Sequence, residues 1–103
     1  MTELNLKPSQ LQKLFEFLSE YKTNFDMRLE HAWIRVNDCQ IVPSNSSVTI
    51  KDKDTHIILD YLKLDAYIGD GDDDFVDFVS DDFTAEIEIN DNDVDVYTFL
   101  YNF

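Results

Sequence analysis

The chain has 103 residues, 44% of them hydrophobic, with one Trp, five Tyr and eight Phe, and a formal net charge of −14. This length predicts a single domain, 1–103, burying roughly two thirds of its unfolded surface; the charge argues against direct binding to nucleic acid or an anionic membrane, both polyanions. MTELNLKPSQ has no basic-then-apolar leader, no apolar run reaches membrane-spanning length, and Cys39 has no second cysteine, which together suit a reducing cytoplasm.

The first predicted element is a helix over about 8–23. Ser9 with Gln12 three residues on fits a capping box, and Pro8 suits a helix entrance. Leu11, Leu14, Phe15, Leu18, Tyr21 and Phe25 recur at three- and four-residue spacing, an apolar stripe for a core, with Lys13, Glu16 and Glu20 off it. From about 31 to 103 the pattern turns β. HAWIRV at 31–36 sets Ala32, Ile34 and Val36 against Trp33 and Arg35, and PSNSS at 43–47 reads as a turn before Val48–Ile50. THIILDYLKL at 55–64 is partly apolar on both faces, as a central strand would be. The fold expected is α+β, one N-terminal amphipathic helix packed on a mainly antiparallel sheet.

Near the carboxyl end, Phe83, Ala85, Ile87 and Ile89 alternate with Thr84, Glu86 and Glu88. A turn at 90–93 leads to a second expected strand, 94–102. The register pairs Ile89 with Val94, Ile87 with Val96, Ala85 with Thr98 and Phe83 with Leu100. Glu88 then falls opposite Asp95 and Glu86 opposite Tyr97. Like charges directly across a ladder destabilise it by about 0.2–1 kcal/mol. Acids two apart on a strand stand roughly 6.6–6.8 Å apart, similar to successive phosphates of a nucleic-acid strand.

Charge is distributed unevenly. Residues 1–55 hold seven Lys/Arg and eight Asp/Glu, a net of −1; residues 56–103 hold one Lys and fourteen Asp/Glu, a net of −13. The acidic half is not a solvated tail, because residues 61–103 carry nine of the fourteen aromatics. Its densest stretch, GDGDDDFVDFVSDDF at 69–83, fails as an EF-hand loop. Starting at Asp70, the glycine position is Phe75 and the apolar position is Asp77, although irregular Ca²⁺ or Mg²⁺ binding stays open. Phe75, Val76, Phe78 and Val79 fit either a helical turn or a two-sided strand, with the aspartates facing out in both.

No nucleophile, phosphate-loop or metal-protease motif is present. His31 and His56 lack motif partners, so no enzyme, cofactor or metal is expected. The candidate site is therefore an acidic face over 60–95, made by Asp70, Asp72, Asp73, Asp74, Asp77, Asp81, Asp82, Glu86, Glu88, Asp91, Asp93 and Asp95. Tyr97, Phe99 and Tyr101 are either short-range anchors or core. The partner expected is a basic nucleic-acid-binding protein, met by a monomer or homodimer.

In GDGDDDFVDFVSDD, EIE at 86–88 and DNDVD at 91–95, the chain resembles the small acidic phage-encoded inhibitors that mimic DNA, of the anti-CRISPR, anti-restriction and uracil-DNA glycosylase-inhibitor kinds. The resemblance covers residues 60–103 and rests on composition. It implies a non-enzymatic inhibitor in the cytoplasm of an infected bacterium, blocking DNA or guide-RNA engagement by a CRISPR or restriction nuclease. The alternative is an acidic immunity or antitoxin-type protein that neutralises a basic toxin or nuclease.

Overall fold

A computed structural model describes residues 2–68, 75–91, 96 and 99. One helix, α1 (Pro8–Leu18), packs on one face of an antiparallel sheet, so the fold is α+β. The strands are β1 (Thr2–Glu3), β2 (Thr23–Arg28), β3 (Trp33–Pro43), β4 (Ser47–Lys51), β5 (His56–Asp60), β6 (Asp65–Ile68), β7 (Phe75–Val79) and β8 (Thr84–Ile89). Their order is β1-β6-β7-β8-β2-β3-β4-β5, seven substantial strands with a two-residue strand at one edge.

The helix starts two residues earlier than its capping pattern implies. Lys7 is the N-cap, and its backbone N–H donates to the Gln10 side chain at 2.9 Å; Gln12 instead donates to Glu16. It also ends earlier, at Leu18, with Ser19, Glu20 and Tyr21 turning the chain. Phe25, assigned by spacing to the helical stripe, lies on β2. TNFDMR alternates Thr23, Phe25 and Met27 inward with Asn24, Asp26 and Arg28 outward, a period of two that the helical reading absorbed.

Phe15 anchors the helix. It is fully buried and stacks on Tyr61 (centroids 5.8 Å apart) and on Phe78 (4.9 Å). Leu11, Leu14 and Leu18 complete the helix's apolar stripe. The sheet's inner face supplies Phe25, Val36, Val48, Ile50, Val76, Ile87 and Ile89. Two residues of β3, Asn37 and Asp38, stand where β2 offers Asn24 alone, and Asp38 takes φ 51°. This bulge bends β3, so that 33–39 pair with β2 and 40–43 with β4.

Two sequence readings are corrected by the sheet order. The hairpin from 83–89 to 94–102 does not form: β8 lies between β7 and β2, leaving it no edge, and Ile87 pairs with Val76 and Phe25. Val96 and Phe99 are helical; Val96 is buried and Phe99 stacks on Phe17 at 4.1 Å. Their alternating apolar residues fitted a strand, but both sides of the intended partner are occupied. The 55–64 stretch is no central strand either. Among the described residues β5 ends the sheet, and Tyr61–Lys63 form a 3₁₀ turn capped by the Asp60 carboxylate, which accepts from the Leu62 N–H at 3.0 Å.

Candidate functional site

The outer face of the sheet, opposite the helix, is built from the alternate residues of β6, β7, β8, β2 and β3. Registers on neighbouring strands align them in rows. Asp77 stands beside Tyr67 on one side and Glu86 on the other; Glu86 stands beside Asp26, and Asp26 beside Arg35. Three carboxylates therefore lie consecutively across three strands, about 4.7–4.9 Å from one strand to the next. One row toward the β8 carboxyl end are Phe75, Glu88 and Asn24; one row the other way are Asp65, Val79, Thr84, Arg28 and Trp33.

The cations of this face sit at its β3 side. Arg35 pairs with Asp26, the Trp33 indole N–H donates to the same carboxylate at 3.1 Å, and the Arg28 guanidinium lies 5.3 Å from the Trp33 ring centroid. Asp26 is thereby paired and held in place. Glu86 has no such partner among the described residues. Desolvation first, then the charge of Asp77, a hydrogen bond with it, and the charges of Asp26 and Glu88, push the Glu86 carboxyl above its ordinary value. Tyr67 is pushed up as well, by desolvation and then by Glu3 and Asp65. Asp26, Arg28, Asp77, Thr84, Ala85 and Glu86 line a shallow depression of ≈ 320 Å³. The raised Glu86 carboxyl beside Asp77 marks crowded negative charge, and a Lys or Arg side chain is the cation that would relieve it.

Glu88 is fixed differently. Asn24 donates to it at 2.9 Å and is itself tied to Asn90 and to the Asp38 N–H, so the bulge and the end of β8 hold one polar cluster. This rigidity comes from β hydrogen bonding, as does that of Asp77 and Glu86, rather than from a loop.

Of the twelve acids expected from the sequence, the structure gathers Asp77, Glu86 and Glu88 on this face. Asp81 and Asp82 are exposed in the β7–β8 turn, closed by the Ser80 N–H to the Phe83 carbonyl, at the same end of the sheet as Trp33. Asp91 lies beyond the other end of β8. Asp70, Asp72, Asp73, Asp74, Asp93 and Asp95 lie outside the described residues, as do Tyr97 and Tyr101. The expected oppositions are replaced: Glu86 faces Asp77 and Asp26 rather than Tyr97, and Glu88 faces Phe75 and Asn24 rather than Asp95. Asp60, at the proposed start of the acidic face, is on β5 at the sheet's far end. Asp26 and Asp65 belong to the face and escaped the sequence reading. For Asp26 the alternation of TNFDMR was the available signal.

Phe99 is anchored against Phe17 of α1, so it belongs to the packing on the helix side. Among the described residues no group of three His, Cys, Asp or Glu is placed to hold a metal ion. Cys39 is buried with its sulfur 3.2 Å from the Thr23 hydroxyl, and burial pushes its thiol up, away from the reactive thiolate. No helix among the described residues is long and apolar enough to cross a membrane. No family model, curated protein or solved structure matches this chain.

Proposed function

We propose that this protein is a non-enzymatic inhibitor whose acidic sheet face occupies the basic, nucleic-acid-binding surface of a partner protein in a bacterial cytoplasm. The observation that carries the reading is Glu86, set between Asp77 and Asp26 on rigid strands. Like charges in register destabilise a sheet, and a partner's Lys or Arg side chains relieve that repulsion on binding. Carboxylates at about 4.8 Å across the sheet and about 6.7 Å along it give a lattice of negative charge at spacings a phosphate-binding groove accommodates. Trp33, 63% exposed at the rim of this face, offers an aromatic anchor of the kind that concentrates binding energy. CRISPR and restriction nucleases present basic grooves of this kind.

The test is a pull-down from lysates of bacterial hosts with the tagged protein, run with and without competing duplex DNA, beside a D77N/E86Q/E88Q variant. The reading expects one nucleic-acid-binding protein, retained by the wild type, displaced by DNA and weakly held by the variant. A partner held equally in the presence of DNA would shift the function to an immunity-type neutraliser of a basic toxin or nuclease. Equal recovery by wild type and variant would contradict any role for the face.

A further inference from the structure

The β5 edge has a chemistry unlike the rest of the molecule. Residues 40–64, which include β4, β5 and the 3₁₀ turn, carry three Lys and three Asp, a neutral flank on a chain of net −14. Among the described residues no strand pairs with the outer side of β5. Edge strands of monomers are commonly blunted by proline, lysine or a bulge. HIILD has none of these, and Ile58 at its centre is 62% exposed. Val42 and Ile58 flank Thr49 on the outer face as one row, and Leu62 beyond the strand is also exposed.

The direction of the unused backbone groups follows from the hairpin. The Asp52 N–H donates to the Thr55 carbonyl and the Tyr61 N–H to the Ser46 carbonyl, each at 3.1 Å, bracketing the β4–β5 ladder. Alternation between these ends assigns 55, 57, 59 and 61 to bonds with β4, so the N–H and C=O groups of His56 and Ile58 and the N–H of Asp60 point outward, while the Asp60 carbonyl begins the 3₁₀ turn.

We propose that β5 pairs antiparallel with β5 of a second copy of this chain, on a two-fold axis at Ile58. Outward-pointing residues must face one another, and centring at Ile58 overlaps all five positions, forming about four new backbone hydrogen bonds. Ile58 then meets the partner's Ile58, and Ile57 meets the partner's Leu59. His56 meets the partner's Asp60, an imidazole against a carboxylate at both ends of the ladder. The strand is thus complementary to its own reverse in charge as well as in apolar pattern. The Val42–Thr49–Ile58 row continues across the axis into its own copy. Three strands, β2, β3 and β4, separate β5 from the acidic β8, so pairing leaves each acidic face clear and makes the assembly bivalent toward basic surfaces. The pairing stands whether or not the acidic face binds as proposed.

The test is sedimentation equilibrium of the full chain from about micromolar to near-millimolar concentration, because a contact of this small area is expected to be reversible. The wild type is expected to pass from monomer to dimer over this range. Ile58→Lys should remain monomeric with an unchanged melting temperature, since Ile58 contributes little to the core. Leu62→Lys adds the same charge to the same flank without touching the ladder and should still dimerise. Ile58→Cys should form an intermolecular disulfide far faster than Thr49→Cys, because cross-strand Cα atoms at the axis stand about 5.5 Å apart. A wild type that stays monomeric throughout, or an Ile58→Lys variant that dimerises as well as wild type, would overturn the pairing.

Discussion

Glu86 concentrates the electrostatic argument in one side chain. Because its folded-state carboxyl is raised, protonation favours the fold: this contribution is present below the unfolded value and lost as pH rises through the folded one. Glu86→Gln keeps the shape and removes the charge. It should therefore melt above the wild type at pH 7.5, by roughly 0.2–1 kcal/mol or a few degrees, with the gap closing under acid conditions. Thermal melts across pH check this, and a lower melting temperature for Glu86→Gln at neutral pH would show that the charge is compensated. Tyr61 supplies a second residue-scale test. Its hydroxyl is buried with no hydrogen-bond partner among the described residues, and burial, partly offset by the Ser44 backbone, pushes the phenol up to about 12. Tyr61→Phe should leave stability unchanged or raise it by up to about 1 kcal/mol in denaturant titrations at pH 7. It should also remove the part of alkaline unfolding that sets in above about pH 10 and is complete past pH 12. Phe15→Ala, in contrast, empties the site between Tyr61 and Phe78 and should cost about 3–5 kcal/mol in the same titration.

Among the elements, helix α1 and the alternating strands were legible because each buries one face. Leu11, Leu14, Phe15 and Leu18 all reach the core, and the Val36 and Ile87 faces point as alternation requires. What failed were choices of partner. Phe25 fits a helical stripe and a strand face equally when the turn at 19–22 is not recognised, and taking it as helix concealed β2. Losing β2 then left β8 apparently free to pair with 94–102, so one misplaced phenylalanine propagated into a hairpin that does not exist. THIILDYLKL carried apolar residues on both faces, and sequence alone does not distinguish a strand covered by its own chain from one exposed at an edge. The acidic face was legible as charge but not as geometry: the row of Asp77, Glu86 and Asp26 requires β8 to sit between β7 and β2. At this scale the β4–β5 turn is also testable. The Asp52 carboxylate accepts from the N–H groups of Asp54 and Thr55, both at 2.8 Å, and these bonds hold its carboxyl below the ordinary value, so its contribution is present at neutral pH and lost as pH falls. Asp52→Ala should speed amide exchange at Asp54 and Thr55 severalfold at pH 7, with the rest of the sheet unaffected.

The whole molecule combines an acidic face with a neutral flank. Self-repulsion of a net charge of −14 is long-ranged and screened by salt, so added sodium chloride should raise the melting temperature before specific ion effects intervene. The same charge should speed encounter with a basic surface. The most direct measurement is therefore the association rate constant between this protein and its captured partner, for wild type and for D77N/E86Q/E88Q, at about 50 and 300 mM salt. If the acidic sheet face guides binding, the variant should associate at least about tenfold more slowly at low salt, and the difference should shrink at high salt. An association rate unchanged by the substitutions at low salt would contradict the account.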